Sequence, residues 1–196
     1  NDQLSSATDL LTTSSQSFVA KTEAGKQSLD AYNEQILSLA KQEVTTKREL
    51  KEAKQQAIEL IEKSKSALIE TNESLGVVTE NLNQANLILP DAEQLDAEFA
   101  NTDILKESIE EIIPQLDASR AKIQSAKTSE DLKQVLRSTN LELTNASEKI
   151  SEEKSRISNA SQQILAELAT KVNEEKQVSE SLNNETSLED RTTSKT

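Results

Sequence analysis

Nine carboxylates stand between residues 91 and 117 (Asp91, Glu93, Asp96, Glu98, Asp103, Glu107, Glu110, Glu111 and Asp117) against a single base, Lys106. Oxygen donors at that density suit a hard cation such as calcium, but a calcium loop also needs a sharp turn, usually at glycine. The alternating Asp pattern of such a loop is missing, and Gly occurs only at positions 25 and 76. Neither a metal nor a cofactor is predicted. What remains to the segment is electrostatics. The acids from Asp91 to Glu111 form a face suited to docking a basic protein partner, with an attraction that weakens as salt rises. A merely solvated helix face has the same composition.

Catalytic chemistry finds little to work with. The chain has no His and no Cys, which removes the commonest general base and the thiol nucleophile. Ser119 with Lys122, and Ser151 with Lys154, match the Ser-x-x-Lys spacing of penicillin-binding enzymes. That spacing works only beside Ser-Asp-Asn and Lys-Thr-Gly motifs, and both are absent. No catalytic residue is assigned, and the chain reads as a non-enzyme. Lys47, Arg48, Lys51 and Lys54 form one basic cluster, interrupted by Glu49 and Glu52, on a chain of net charge −13. With no aromatic side chain nearby, this argues against nucleic acid. Asn-x-Ser/Thr triplets at Asn72, Asn145, Asn159 and Asn184 are expected by chance in a chain this rich in Ser and Thr. No apolar run approaches the length needed for membrane insertion.

The elements that carry these residues follow from composition and period. Only 34% of the chain is hydrophobic and 2% aromatic, too little for an ordinary globular core but enough for apolar seams between helices. Two Gly, two Pro and regular apolar spacing argue against disorder for most of the length. Leu4, Leu11, Phe18, Gly25, Tyr32 and Leu39 recur every seven residues, joined by Leu29, Ile36, Leu50 and Ala57. From Ala57 the apolar face widens, through Ile61, Leu68, Leu75, Leu82 and Leu89, as a helix with two neighbours requires. This predicts a long first helix from about Asp2 to Leu89, stopped by Pro90.

A second helix is predicted over about 91 to 127, with Asn101, Thr102 and Asp103 as a fresh cap and Pro114 inside a continuous seam. Thr128 with Asp131 resembles a capping box. It opens a third helix carrying Leu136, Leu143, Ile150, Ile157 and Ile164. Glu43 with Lys47, Glu152 with Arg156 and Glu167 with Lys171 have the favourable Glu-first spacing. Ser64, Thr71, Ser74, Thr139 and Glu153 fall on seam positions where a tight zipper has Leu or Ile, which predicts modest stability.

The expected fold is all-α: an elongated antiparallel three-helix bundle or coiled coil with a long first helix. Residues 1–56 are expected as an N-terminal helical extension. Residues 57–168 form the bundle, with helices over about 57–89, 91–127 and 130–168, and 169–196 a fraying helix end and disordered tail. The extension must fold back, pair with another copy as a homo-oligomer, or pair with sequence outside this chain. The absence of Met and the start at Asn1 suggest a portion of a longer protein.

Ile123-Gln-Ser-Ala-Lys-Thr-Ser-Glu-Asp-Leu132, followed by Lys-Gln-Val-Leu136, resembles the helix–turn–helix of small three-helix modules in Gram-positive cell-wall surface proteins. The resemblance covers about 14 residues, counted along the quoted stretch. The Lys, Glu, Ser, Thr, Asn and Gln-rich composition is similar to helical regions of adhesins of that kind. The resemblance implies an extracellular or cell-surface location, with signal and anchor outside this chain, and a host or intercellular protein partner. Albumin-binding modules carry aromatics before this turn, where the present chain has Pro114-Gln-Leu-Asp-Ala-Ser-Arg, so that ligand is not implied. The function expected is a non-catalytic stalk or adhesin segment that spaces or presents a binding surface. The alternative is an intracellular coiled-coil scaffold or tether.

Overall fold

The computed structural model describes residues 2–90, 94 and 103–193, with backbone alone at 103, 104 and 189–193. Every element among the described residues is helical. They are α1 (Asp2–Lys41), α2 (Lys47–Ile88), α3 (Asp103–Ser125) and α4 (Ser129–Thr193). The fold is an all-α helical bundle, with four helices where the seam pattern gave three. The difference lies in the first helix, which reverses at residues 42–46.

Local chemistry explains the reversal. At Glu43 and Thr46 the two seam lines lose their apolar residues together, so a straight helix would bury nothing there. Thr46 is extended, with φ −114 and ψ 157. Its hydroxyl accepts from the Glu49 N–H at 3.1 Å, and the Glu49 carboxylate accepts in return from the N–H groups of Thr46 and Thr45 at 3.2 and 2.8 Å. This is a complete capping box, and it starts α2 afresh. The segment expected to project as an extension therefore folds back.

α1 lies antiparallel to α2 on one side and to α4 on the other. Hydrogen bonds fix the α1–α4 register: Asp30 accepts from Ser147 at 2.6 Å, Asn33 donates to Thr144 at 2.9 Å, and Lys154 donates to Glu23. Each step along α1 is matched by an equal step back along α4. α3 lies between α2 and α4, with Lys65 on Asp117 at 2.6 Å. Arg120 stands 3.3 Å from Glu62, near enough to pair as charges though not aligned as a hydrogen bond to that oxygen.

The widened face of α2 does what its pattern predicted. Leu60 with Ile61, and Ala67 with Leu68, are buried as adjacent pairs, because α2 packs on both α1 and α3. All four helices share one core, from Phe18 and Ile36 through Leu68, Leu116 and Leu143. Towards the other end a second core joins Leu11 of α1, Leu82 and Ala85 of α2, and Ile164 and Leu168 of α4, with Leu89 closing it. The polar seam residues are buried as expected. Ser64, Thr71 and Thr139 satisfy their hydroxyls by donating to the carbonyls of Leu60, Ala67 and Val135 one turn back, and Glu153 takes the guanidinium of Arg156.

Helix ends follow the sequence where a breaker marks them. Leu89, before Pro90, is extended at φ −72 and ψ 148. α3 runs unbroken through Pro114, which is exposed. The Thr128 hydroxyl accepts from the Asp131 N–H at 3.1 Å. α4 continues well past the point where the tail was expected to fray, but burial ends near Val172. At 1.5 Å per residue, α1 and α2 are about 60 Å long and α4 about 98 Å.

Candidate functional site

The acidic segment is only partly within reach. Asp91, Glu93, Asp96 and Glu98 lie outside the described residues, and the side chain of Asp103 is not described. Glu107, Glu110 and Glu111 are exposed together on the outer face of α3, Glu110 and Glu111 lying about one turn beyond Glu107. Asp117 is exposed too but engaged by Lys65. No group of acids that could hold a metal ion occurs among the described residues.

The two Ser-x-x-Lys matches fall in different surroundings. Ser119 is buried against α4, and Lys122 is exposed one turn along. Lys154 is bonded to Glu23 across the α1–α4 seam. That bond, with the charge of Lys154, holds the Glu23 carboxyl below its usual range. Burial pushes Asp30 up, but the hydrogen bonds from Ser147 and Lys26, with the Lys26 charge, outweigh it and leave Asp30 lowered. The α1–α4 seam is a ladder of charged, amide and hydroxyl groups that fixes register.

The arrangement that the sequence conceals is at the closed end, where both connections meet. The antiparallel topology brings residues 41–54 beside 122–137. Lys54 is the physical link: its ammonium donates to the carbonyls of Gln124 and Ala126, both at 2.8 Å, closing the end of α3 with a cation from α2. These two segments hold nine bases and five acids, a net of +4, which leaves −17 for the rest of the chain. Three of the five acids are occupied locally. Glu49 is in the capping box, where the N–H groups of Thr45 and Thr46 lower its pKa. Glu52 pairs with Arg48, and Glu130 stands 3.9 Å from Arg137. Lys41, Lys47, Lys51, Lys122, Lys127 and Lys133 form no ion pair among the described residues. Only Lys47, Arg48, Lys51 and Lys54 are visible as a cluster in the sequence. Lys127, Lys133 and Arg137 join them through the fold alone.

The grooves between helices are shallow and open. One of about 510 Å³ lies between the start of α1 and α4, lined by Asp2, Asp9, Val172, Glu175 and Lys176 among others. Another, between α3 and α4, holds Glu142 beside Ser119, Ser138 and Lys122. Burial raises the pKa of Glu142 against the opposing pull of Lys122 and Ser119, and one of its carboxylate oxygens has no hydrogen-bond partner.

Comparison with protein-family models, with curated proteins and with solved structures gave no match. No helix among the described residues is long and apolar enough to cross a membrane.

Proposed function

We propose that this chain is a non-catalytic helical spacer, the stalk or adhesin segment of a bacterial surface protein, which holds a protein-binding surface away from its attachment. One observation carries the reading: α1 and α4 run side by side through the whole of α1, and α4 continues beyond, so the length accumulates along a single axis. A catalytic site needs groups converging in a concave pocket. Here the ion pairs between helices tie the rod together, and the grooves between helices are open. The small polar residues on the seams support the same view, since they permit close packing and register without a thick core. The outward acids Glu107, Glu110 and Glu111 on α3 are the surface we assign to a basic partner. The cell-surface location rests on composition and on the short resemblance at Ile123–Leu136.

Small-angle scattering tests the spacer directly. A compact domain of this chain length would have a radius of gyration of about 16 Å. A rod about 98 Å long has a value nearly twice that and a maximum dimension near the rod length. A compact profile would remove the reading.

A further inference from the structure

We infer that the closed end of the bundle is an electrostatic foot that seats the rod end-on upon an anionic lipid bilayer. The basis is polarity along the axis. Two sequence-remote segments converge there with a net of +4, while the remaining chain carries −17. Among the described residues the lysines that form no ion pair come from all four helix ends: Lys41 closes α1, Lys47 and Lys51 open α2, Lys122, whose charge also reaches Glu142, ends α3, and Lys127 and Lys133 flank the start of α4. A ring of cations round the tip of a rod suits a continuous surface, where every lysine finds a headgroup.

Screening decides whether so negative a molecule can bind at all. At physiological salt, charges farther than about 8 Å from the surface are largely screened. Lys54 and Arg137 stand about 10 and 12 Å behind the tip at 1.5 Å per residue, so a rod approaching tip first brings the remaining seven bases and five acids, a net of +2, close to the surface and keeps its acidic body outside that distance. A rod approaching on its side places the acidic flank, Glu107, Glu110 and Glu111 included, against the same surface and is repelled. Attraction and repulsion therefore select one orientation. A second copy of this chain fits less well, because its acids are spread along a flank while the cations form a ring.

The experiment uses the intact chain and vesicles of phosphatidylcholine with about one third phosphatidylglycerol, the anionic component supplying the surface potential. Co-sedimentation is expected with these vesicles, not with pure phosphatidylcholine, and is expected to disappear on raising salt to about 0.5 M. Each base contributes a factor of about five in partitioning. The variant K47E/K51E/K127E/K133E changes only side chains that form no ion pair among the described residues, so it should lose binding altogether with unchanged helical circular dichroism and melting.

Orientation is read by energy transfer to a labelled lipid. The chain has no Cys, so Gln42→Cys and Thr186→Cys each give one dye position. The dye at 42 should transfer strongly, and the dye at 186, about 85 Å along α4 from the tip, should not transfer. Equal transfer from both, equal binding to neutral vesicles, capture by soluble polyphosphate without vesicle binding, or no binding to the anionic vesicles would each overturn the foot. A chain with the scattering of a rod that ignores anionic vesicles defeats the foot and leaves the spacer standing.

Discussion

Gly25 of α1 faces Thr71 of α2 so closely that a Cβ built on the glycine would lie 2.8 Å from the threonine Oγ1. Thr71 is buried, and its hydroxyl already donates to the Ala67 carbonyl at 2.9 Å. Helix propensity alone favours Gly25→Ala by about 1 kcal/mol, but the close contact requires Thr71 to give up its hydrogen bond or the helices to part. We expect Gly25→Ala to lower stability by about 1 kcal/mol, and to raise it when combined with Thr71→Ala. Urea denaturation of the four-member cycle measures this. Stabilisation by Gly25→Ala alone would show that the helices are not this close.

Gly76 provides the opposite case on the same helix pair. A Cβ there meets nothing within 4 Å, so only the backbone term acts. Gly76→Ala should raise the free energy of unfolding by about 1 kcal/mol and increase the urea midpoint with an unchanged slope.

The reversal between α1 and α2 rests on a single capping residue. Thr46→Ala removes the acceptor for the Glu49 N–H and should destabilise the chain by about 1 kcal/mol. Thr46→Ser, which keeps the acceptor, should leave stability within a few tenths of that of the parent. Equal effects from both substitutions, measured by the same denaturation, would count against the cap.

That cap was legible, since Thr46-Lys-Arg-Glu49 has the capping spacing. Heptad period hid it. Ile36, Leu50 and Ala57 keep one phase straight across the reversal, so the pattern continues although the chain turns back. The broad face of α2, the stop at Pro90 and the continuity of α3 through Pro114 were readable because each depends on local spacing. The basic end was not, since it arises when Lys127 and Lys133 are carried beside Lys47 and Lys51 by topology. Glu43 and Lys47 straddle the reversal and form no ion pair among the described residues, while Arg156 engages Glu153 and Lys171 engages Glu174, each at a spacing of three residues.

Beyond Val172, α4 buries none of its described side chains: Val178 and Leu182 remain 60% and 59% exposed. A lone helix of this length is marginal in water. Truncation after Gln177 should therefore leave the urea midpoint unchanged, and amides from about residue 178 onward should exchange without protection. A lowered midpoint would mean that the segment packs on something.

Glu142 makes stability depend on pH in the opposite sense to the other perturbed acids. Burial in the α3–α4 groove raises its folded pKa above the unfolded value, so the native state binds its proton more tightly. Its favourable contribution is complete below the unfolded pKa and is lost as pH rises through the folded one. Glu23, Asp30 and Glu49, with lowered values, contribute above their unfolded pKa and lose it as pH falls. The parent chain mixes both trends, and Glu142→Gln separates them. The amide fills the same space without a charge to desolvate, so the variant should be more stable than the parent at pH 7. Below about pH 4, where a carboxyl is neutral, the two should converge. Melting curves across that range decide it. A variant equally stabilised at both ends, or destabilised at pH 7, would mean that Lys122 and Ser119 hold the ionised form of Glu142 more firmly than burial opposes it.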